Sequence, residues 1–184
     1  EFYGILDYTT GGSVKYYYNT VLVQGSQTGT SSFDYPSECF YKLPGGSGSG
    51  SGGATELKNN IFINSRTGNP TVTTKHYAID NSSSTPGTNW VSDNNFLSTV
   101  NNATLGYWTG AGDVDFANWK SNTGGDANST SAQATTGTSS STAANPAELF
   151  VAPLTGNLHI NTTPPNAPYP YDFVSNRGVT VSTT

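Results

Sequence analysis

The sequence predicts an all-β domain of stacked parallel coils with long loops and one short helix. Three observations lead there. First, Ser (22), Thr (27), Asn (19) and Gly (21) make up nearly half of the 184 residues, while Gln occurs only 3 times. The bias favours the short amide, which tolerates left-handed backbone and bonds to nearby main chain, so many tight turns are expected. Second, strong β-formers fall in short clusters separated by Gly, Ser, Thr, Asn and Pro. Third, the clusters form two alternating classes joined by connections of very unequal length. Stacked coils tolerate such connections, because a coil can bulge outward without disturbing the strands above and below it.

In chain order the strand clusters are 2–6, 16–23, 39–41, 57–63, 76–79, 94–97, 148–151, 158–160 and 179–181. One class holds Tyr3-Gly4-Ile5, Cys39-Phe40-Tyr41 and Tyr77-Ala78-Ile79, with first residues 36 and 38 positions apart. The other holds Asn19-Thr20-Val21, Asn60-Ile61-Phe62 and Asn95-Phe96-Leu97, with the Asn residues 41 and 35 apart. Tyr3, Cys39 and Tyr77 are therefore expected in one column and Asn19, Asn60 and Asn95 in another. Amides stacked at the ladder spacing of ~4.8 Å can bond to one another and to the turn backbone, so the Asn column reads as a structural ladder. The expected core is Ile5, Val21, Ile61, Phe62, Ile79, Phe96 and Leu97, although neighbours such as Ile61 and Phe62 cannot both face inward. Trp90, Trp108 and Trp119 are expected to seal loops onto the coils. Residues 113–122 are the helix candidate, with Asp113 as N-cap and Val114, Phe116, Ala117 and Trp119 as its apolar side. Residues 44–53 are a flexible Gly/Ser loop by composition, and 121–145 a Ser/Thr/Ala-rich surface loop. The whole of 1–184 is expected to form one domain.

Charge and composition exclude several functions. A net charge of -5, with seven basic residues scattered from Lys15 to Arg177, argues against nucleic acid and anionic membrane surfaces. No apolar run approaches the ~20 residues of a membrane-spanning helix. Cys39 is the single cysteine, which excludes an intrachain disulfide and fits a small buried apolar residue. Met is absent, so Glu1 is not expected to be a native start, and the chain reads as part of a larger protein. The low-charge, hydroxyl-rich composition favours export.

The runs Leu57-Lys58-Asn59-Asn60-Ile61-Phe62-Ile63-Asn64, Lys75-His76-Tyr77-Ala78-Ile79 and Ser92-Asp93-Asn94-Asn95-Phe96 resemble the right-handed parallel β-helix proteins of the pectate-lyase-like superfamily. The likeness is to modules of large bacterial secreted and cell-surface proteins, often of the type IX secretion kind. Tyr16-Tyr17-Tyr18-Asn19-Thr20-Val21 is similar to the preceding coil of that pattern. Phe116-Ala117-Asn118-Trp119 with Gly125-Asp126-Ala127-Asn128-Ser129 resembles its later helix and loop, and Leu158-His159-Ile160 its closing strand. The Asp-rich, Arg-containing segment that usually follows in such proteins is not in this sequence. The resemblance implies an extracellular or bacterial-surface β-helix, in a family that spans glycan-degrading enzymes and proteins of no known activity.

Polysaccharide cleavage is the chemistry to look for on such a fold. A lyase needs a base and a group that neutralises a uronate carboxylate. The cluster nearest in sequence is Arg66, Lys75, His76 and Asp93 with Asp80, although packing in the repeated strand also accounts for His76. A hydrolase needs two carboxylates at fixed separation; Asp80 and Asp93 are a candidate pair, whereas Asp113 and Asp115 are already explained by a helix start. Asp113, Asp115 and Asp126 could hold Ca²⁺ but lack the spacing of a dedicated loop, so no metal or cofactor is expected. Glycan binding by exposed aromatics is the rival, with at least one of Tyr16, Tyr17 and Tyr18 facing solvent. The sequons at Asn81, Asn102, Asn128 and Asn161 arise readily in so Asn/Ser/Thr-rich a chain. The expected role is a non-catalytic structural or adhesion module of a surface assembly; a carbohydrate-active module, lyase or binding, is the alternative. Open coil ends predict partners among other copies or neighbouring domains, with glycans as further ligands.

Overall fold

The computed structural model describes residues 2–26, 35–43, 53–67, 74–83, 89–99, 104–131, 149–162, 174 and 178–181. The Gly/Ser loop apart from Gly53, residues 132–145 of the Ser/Thr/Ala-rich loop and the sequon at Asn102 lie outside the described residues.

Strands β1 (Phe2–Asp7), β2 (Ser13–Tyr17) and β3 (Thr20–Val23) are followed by β4 (Ser37–Lys42), β5 (Ala54–Lys58) and β6 (Ile61–Asn64), then by β7 (His76–Asn81), β8 (Trp90–Asp93) and β9 (Phe96–Thr99). The first strand of each triplet lies in sheet A, the second in sheet B and the third in sheet C. All pairings among these nine strands are parallel. The chain thus visits the three sheets in the same order three times, and each passage adds a rung. β10 (Gly106–Trp108) joins β7 in parallel, and β11 (Gly112–Val114) turns back antiparallel to end sheet A. The protein is all-β with parallel sheets and one short helix.

Between the second and third strands of each rung the chain turns through one residue in the left-handed region, Tyr18, Asn59 or Asn94 (φ 57, 59 and 57). An amide follows each time. Asn19 donates its backbone N–H and its Nδ2 to Asn60 Oδ1 at 3.0 and 2.9 Å, and Asn60 donates the same two groups to Asn95 Oδ1, both at 2.9 Å. Asn60 and Asn95 are buried, so each bond satisfies a group that water cannot reach. The column ends on Ser129, whose Oγ accepts the Asn95 N–H at 2.8 Å and donates to Asp126.

Inside the sheets, Phe40 stacks on Phe62 with ring centroids 6.0 Å apart, and Leu57, Ile79 and Leu97 close the core around them. Trp90, Trp108 and Trp119 are buried and meet edge to face at 5.4–6.0 Å. Sheet C is apolar on both faces. Val21, Phe62 and Leu97 point to the main core, while Leu22, Ile61, Ile63 and Phe96 form a second cluster with Leu149, Phe150, Leu158 and Ile160. Ile5, Val21 and Ile61 are only partly buried; the first two lie in the first rung, which among the described residues has a strand neighbour on one side alone.

Four details differ from the sequence reading. Tyr3 pairs with Glu38 and Glu38 with Tyr77, so Cys39 falls one place later, in line with Gly4 and Ala78. Burial sets this register: it puts Phe40 between Ile5 and Ile79 in the core, and at Gly4 a Cβ would lie 2.7 Å from the Cys39 carbonyl oxygen. The helix α1 spans Phe116–Thr123, and its N-cap is Asp115, which accepts the Asn118 N–H at 2.8 Å; β11 occupies 112–114 instead. Residues 158–160 do not close the stack but form β13 (Asn157–Ile160), antiparallel to β12 (Phe150–Ala152), because their apolar side covers the outer face of sheet C. Residues 179–181 form no strand; the Val179 peptide is held by the Asn59 side chain, which donates to its carbonyl at 2.6 Å and accepts its N–H at 2.7 Å.

The helix also does what the sequence did not suggest. It and residues 124–130 cover the third rung: Asp126 N–H bonds to the Ser92 carbonyl at 2.6 Å and Thr130 bridges to Phe96. One end of the stack is therefore covered from within the chain.

Candidate functional site: a tyrosine groove on sheet A

On β4 and β7 two consecutive residues, Cys39-Phe40 and Ala78-Ile79, join the core. The ladder carries no pairing at the Gly4, Cys39 and Ala78 level, and the flanking residues Glu38, Tyr41, Tyr77 and Asp80 all line the outer face. They form two columns, Tyr3–Glu38–Tyr77 and Leu6–Tyr41–Asp80–Tyr107, by the register of β1, β4, β7 and β10. Glu38, Tyr41, Lys75, Tyr77, Asp80 and Tyr107 line an open groove of about 370 Å³. Tyr3 stacks on Tyr41 with centroids 5.0 Å apart and planes at 17°, and Tyr77 leans on Tyr107 at 6.3 Å and 50°. Aromatic and acidic positions alternate across the sheet, with Glu38 and Asp80 in the floor at 3% and 6% exposure.

One bond network fixes the groove's upper edge. Tyr77 Oη donates to Asp113 Oδ1 at 2.7 Å, and Lys75 Nζ pairs with Asp113 Oδ2 at 2.9 Å. Burial pushes the Tyr77 phenol pKa well up, and the bond to Asp113 with the charges of Asp113, Asp80 and Glu38 pushes it further. Burial also pushes the Asp113 carboxyl up, but the bonds from Tyr77 and Lys75 outweigh it and hold it below the ordinary Asp value. At neutral pH Tyr77 is thus a neutral donor and Asp113 a charged acceptor.

The sequence candidates are dispersed around this groove. Lys75 is at its edge. His76 Nδ1 meets Ser37 Oγ at 2.9 Å, beside Asn64, whose Nδ2 bonds to Ser37 and to the Tyr77 carbonyl. Arg66 lies over the Phe2 ring, 4.9 Å from its centroid, and donates to the Tyr35 carbonyl. Asp93 sits on β8 in sheet B, where it accepts two bonds from Asn128 at 2.8 Å, while Asp80 is on sheet A with Ser82. Asp113, Asp115 and Asp126 are likewise apart in role: the first binds Lys75, the second caps α1, and the third is buried under Trp119. Among the described residues no group of three or more His, Cys, Asp or Glu side chains is placed to hold a metal ion. Burial pushes the Cys39 thiol pKa far up, which leaves it unreactive.

Sequence reasoning missed Glu38, Tyr41 and Tyr107. Glu38-Cys39-Phe40-Tyr41 repeats the polar–apolar–apolar–polar order of Tyr77-Ala78-Ile79-Asp80, but regular alternation would send the outer members to opposite faces, so the order alone did not reveal the groove.

No protein-family model matches the chain, and neither a curated protein nor a solved structure matches it.

Proposed function

We propose that the protein is a non-catalytic adhesion module of an extracellular or bacterial-surface assembly, a right-handed parallel β-helix that holds carbohydrate on the outer face of sheet A. The observation that carries this reading is the groove with Tyr41, Tyr77 and Tyr107 around acidic acceptors. Tyrosine rings offer flat apolar faces to the C–H side of a sugar, while their hydroxyls and the carboxylates bond to its hydroxyls. Binding without cleavage is favoured because Lys75, the nearest candidate base, is already paired with Asp113. The parallel sheets supply the stiff support an adhesion module needs. No helix among the described residues is long and apolar enough to cross a membrane. Among the described residues, strands β1, β2 and β3 each have a strand neighbour on one side alone, and Phe2, Leu6 and Tyr8 are exposed there; other copies or neighbouring domains would add to those edges.

The test is calorimetric titration of the intact protein with a panel of oligosaccharides, repeated for Tyr41→Ala and Tyr107→Ala. Binding that both variants weaken about tenfold or more, with unchanged melting, is expected. No binding by any glycan removes the reading, and unsaturated or reducing ends released from a polysaccharide would replace it with the lyase or hydrolase alternative.

A further inference from the structure

The amide column has a direction, and the direction selects what fits its first rung. Resting on the open strand edges of the proposed function and not on the glycan groove, we infer that this rung takes a strand–turn–strand segment of a neighbouring polypeptide with asparagine at its corner, in preference to a second copy of this chain. Asn60 shows what a complete member of the column does. Its Oδ1 accepts the Asn19 N–H and Nδ2 at 3.0 and 2.9 Å, and its Nδ2 donates to Asn95 Oδ1 and to the Tyr16 carbonyl, both at 2.9 Å. Asn95 repeats this one rung on: its Oδ1 accepts from Asn60, and its Nδ2 donates to the Leu57 carbonyl at 3.1 Å. Asn19 only donates. Among the described residues its Oδ1 accepts no hydrogen bond, and its Nδ2 meets no carbonyl of an earlier rung.

A ligand that completes Asn19 brings a backbone N–H and an amide Nδ2 of one residue to its Oδ1, and the carbonyl three residues earlier to its Nδ2. The existing rungs define the rest of the pattern. The residue before the amide is left-handed, as at Tyr18, Asn59 and Asn94. Tyr16 and Val21 flank Asn19 as Leu57 and Phe62 flank Asn60, and all four pack in the main core. Tyr16 and Val21 are only partly buried, so apolar residues at the same two places of an added rung would cover them. A second copy does not present this pattern. At its far end the Asn95 N–H is committed to Ser129 Oγ at 2.8 Å, beneath residues 124–130. Its first rung offers Asn19 Oδ1, so two acceptors would face each other. Copies can meet through their strand edges and leave the column broken, whereas the asparagine-cornered segment makes strand bonds and completes the column as well.

The probe is a fluorescein-labelled peptide with the sequence of residues 54–64, a whole strand–turn–strand unit that carries Leu57, Asn59, Asn60 and Phe62. Titrated with the intact protein and followed by anisotropy, it should bind, and Asn60→Ala in the peptide should weaken binding about tenfold or more. Asn19→Ala in the protein, checked for melting, should weaken it similarly by removing the acceptor. A peptide of the same residues in reverse order should not bind. With the parent peptide at saturation, light scattering should show no rise of mass with concentration, because the edge is filled. Equal binding by the parent peptide and its Asn60→Ala form, no binding up to the peptide's solubility, or a mass that still rises with the peptide bound overturns the inference. If the peptide fails while the mass of the protein alone rises with concentration, edge association between copies stands without the amide rule, and glycan titration reports on the groove separately.

Discussion

Trp119 donates its indole N–H to Asp126 Oδ2 at 2.8 Å, and both residues are fully buried. The same carboxylate accepts from Ser92 Oγ at 2.9 Å, from Ser129 Oγ and from Asn95 Nδ2 at 3.3 Å. One side chain thus ties the helix to the last members of the amide column. Asp126 itself holds a left-handed backbone, φ 56, which Asp adopts more readily than most residues.

Replacing it should be expensive. Asp126→Ala leaves several buried donors without an acceptor, and a loss of about 3 kcal/mol or more is expected. Trp119→Phe removes one of those bonds and some packing, so its loss should be smaller than that of a Trp→Ala change. Chemical denaturation of the three variants gives the ranking. Equal midpoints for Asp126→Ala and the parent would show that the carboxylate does not anchor this end.

The amide column should show a gradient of cost. Asn60 bonds in both directions and is buried, while Asn19 bonds in one direction and is partly exposed. Asn60→Ala is expected to lose about 2–4 kcal/mol and Asn19→Ala about 1 kcal/mol. Urea unfolding measures both, and a reversed order would remove the middle amide from its role.

Acid should weaken the fold. Burial raises the Asp7 pKa, but bonds from Thr9, Thr55 and Lys42 outweigh it and hold the carboxyl below its ordinary value. Burial likewise opposes, and bonds from Asn128 outweigh, in Asp93, and Asp113 behaves similarly. A depressed folded pKa gives stability that is complete above the unfolded value of about 3.9 and is lost as pH falls through the folded values. The urea midpoint should be flat from pH 7 to about pH 5 and drop steadily below about pH 4. An unchanged midpoint at pH 2.5 contradicts this.

Gly106 is set against the Ile79 carbonyl, where an added Cβ would collide with main chain rather than a movable side chain. Gly106→Ala should push β10 off β7 and cost about 1–3 kcal/mol. A variant melting within a degree of the parent would show that the strand can shift freely.

Association through the first rung should be visible in solution. Light scattering over a range of concentrations is expected to show mass rising with concentration, and Leu6→Lys, placing a charge on the exposed edge strand, should suppress the rise. A constant monomer mass at high concentration sinks edge association between copies.

The fold class was legible because its cause is local and repeated. Three left-handed turns, each followed by an amide, leave Tyr18-Asn19, Asn59-Asn60 and Asn94-Asn95 at intervals a reader can measure. The apolar run Ile61-Phe62-Ile63 likewise shows two buried faces, although not what covers the second. The column of Cys39 was not legible, because the aromatic likeness of Cys39-Phe40-Tyr41 to its neighbours points one residue away from the register that burial selects.

The sequence by itself determined that short strands stack with Asn at recurring corners, since steric preference at a turn and amide bonding at the ladder pitch act between residues of fixed type. Only the tertiary structure decided that the internal helix covers the third rung, that residues 150–160 fold back onto sheet C, and that Glu38, Tyr41, Tyr77, Asp80 and Tyr107 meet in one groove. Those contacts join residues about 30–100 positions apart, and the loops between them set no register. The decision falls to which apolar faces can be buried together, a property of the assembled surfaces rather than of any segment.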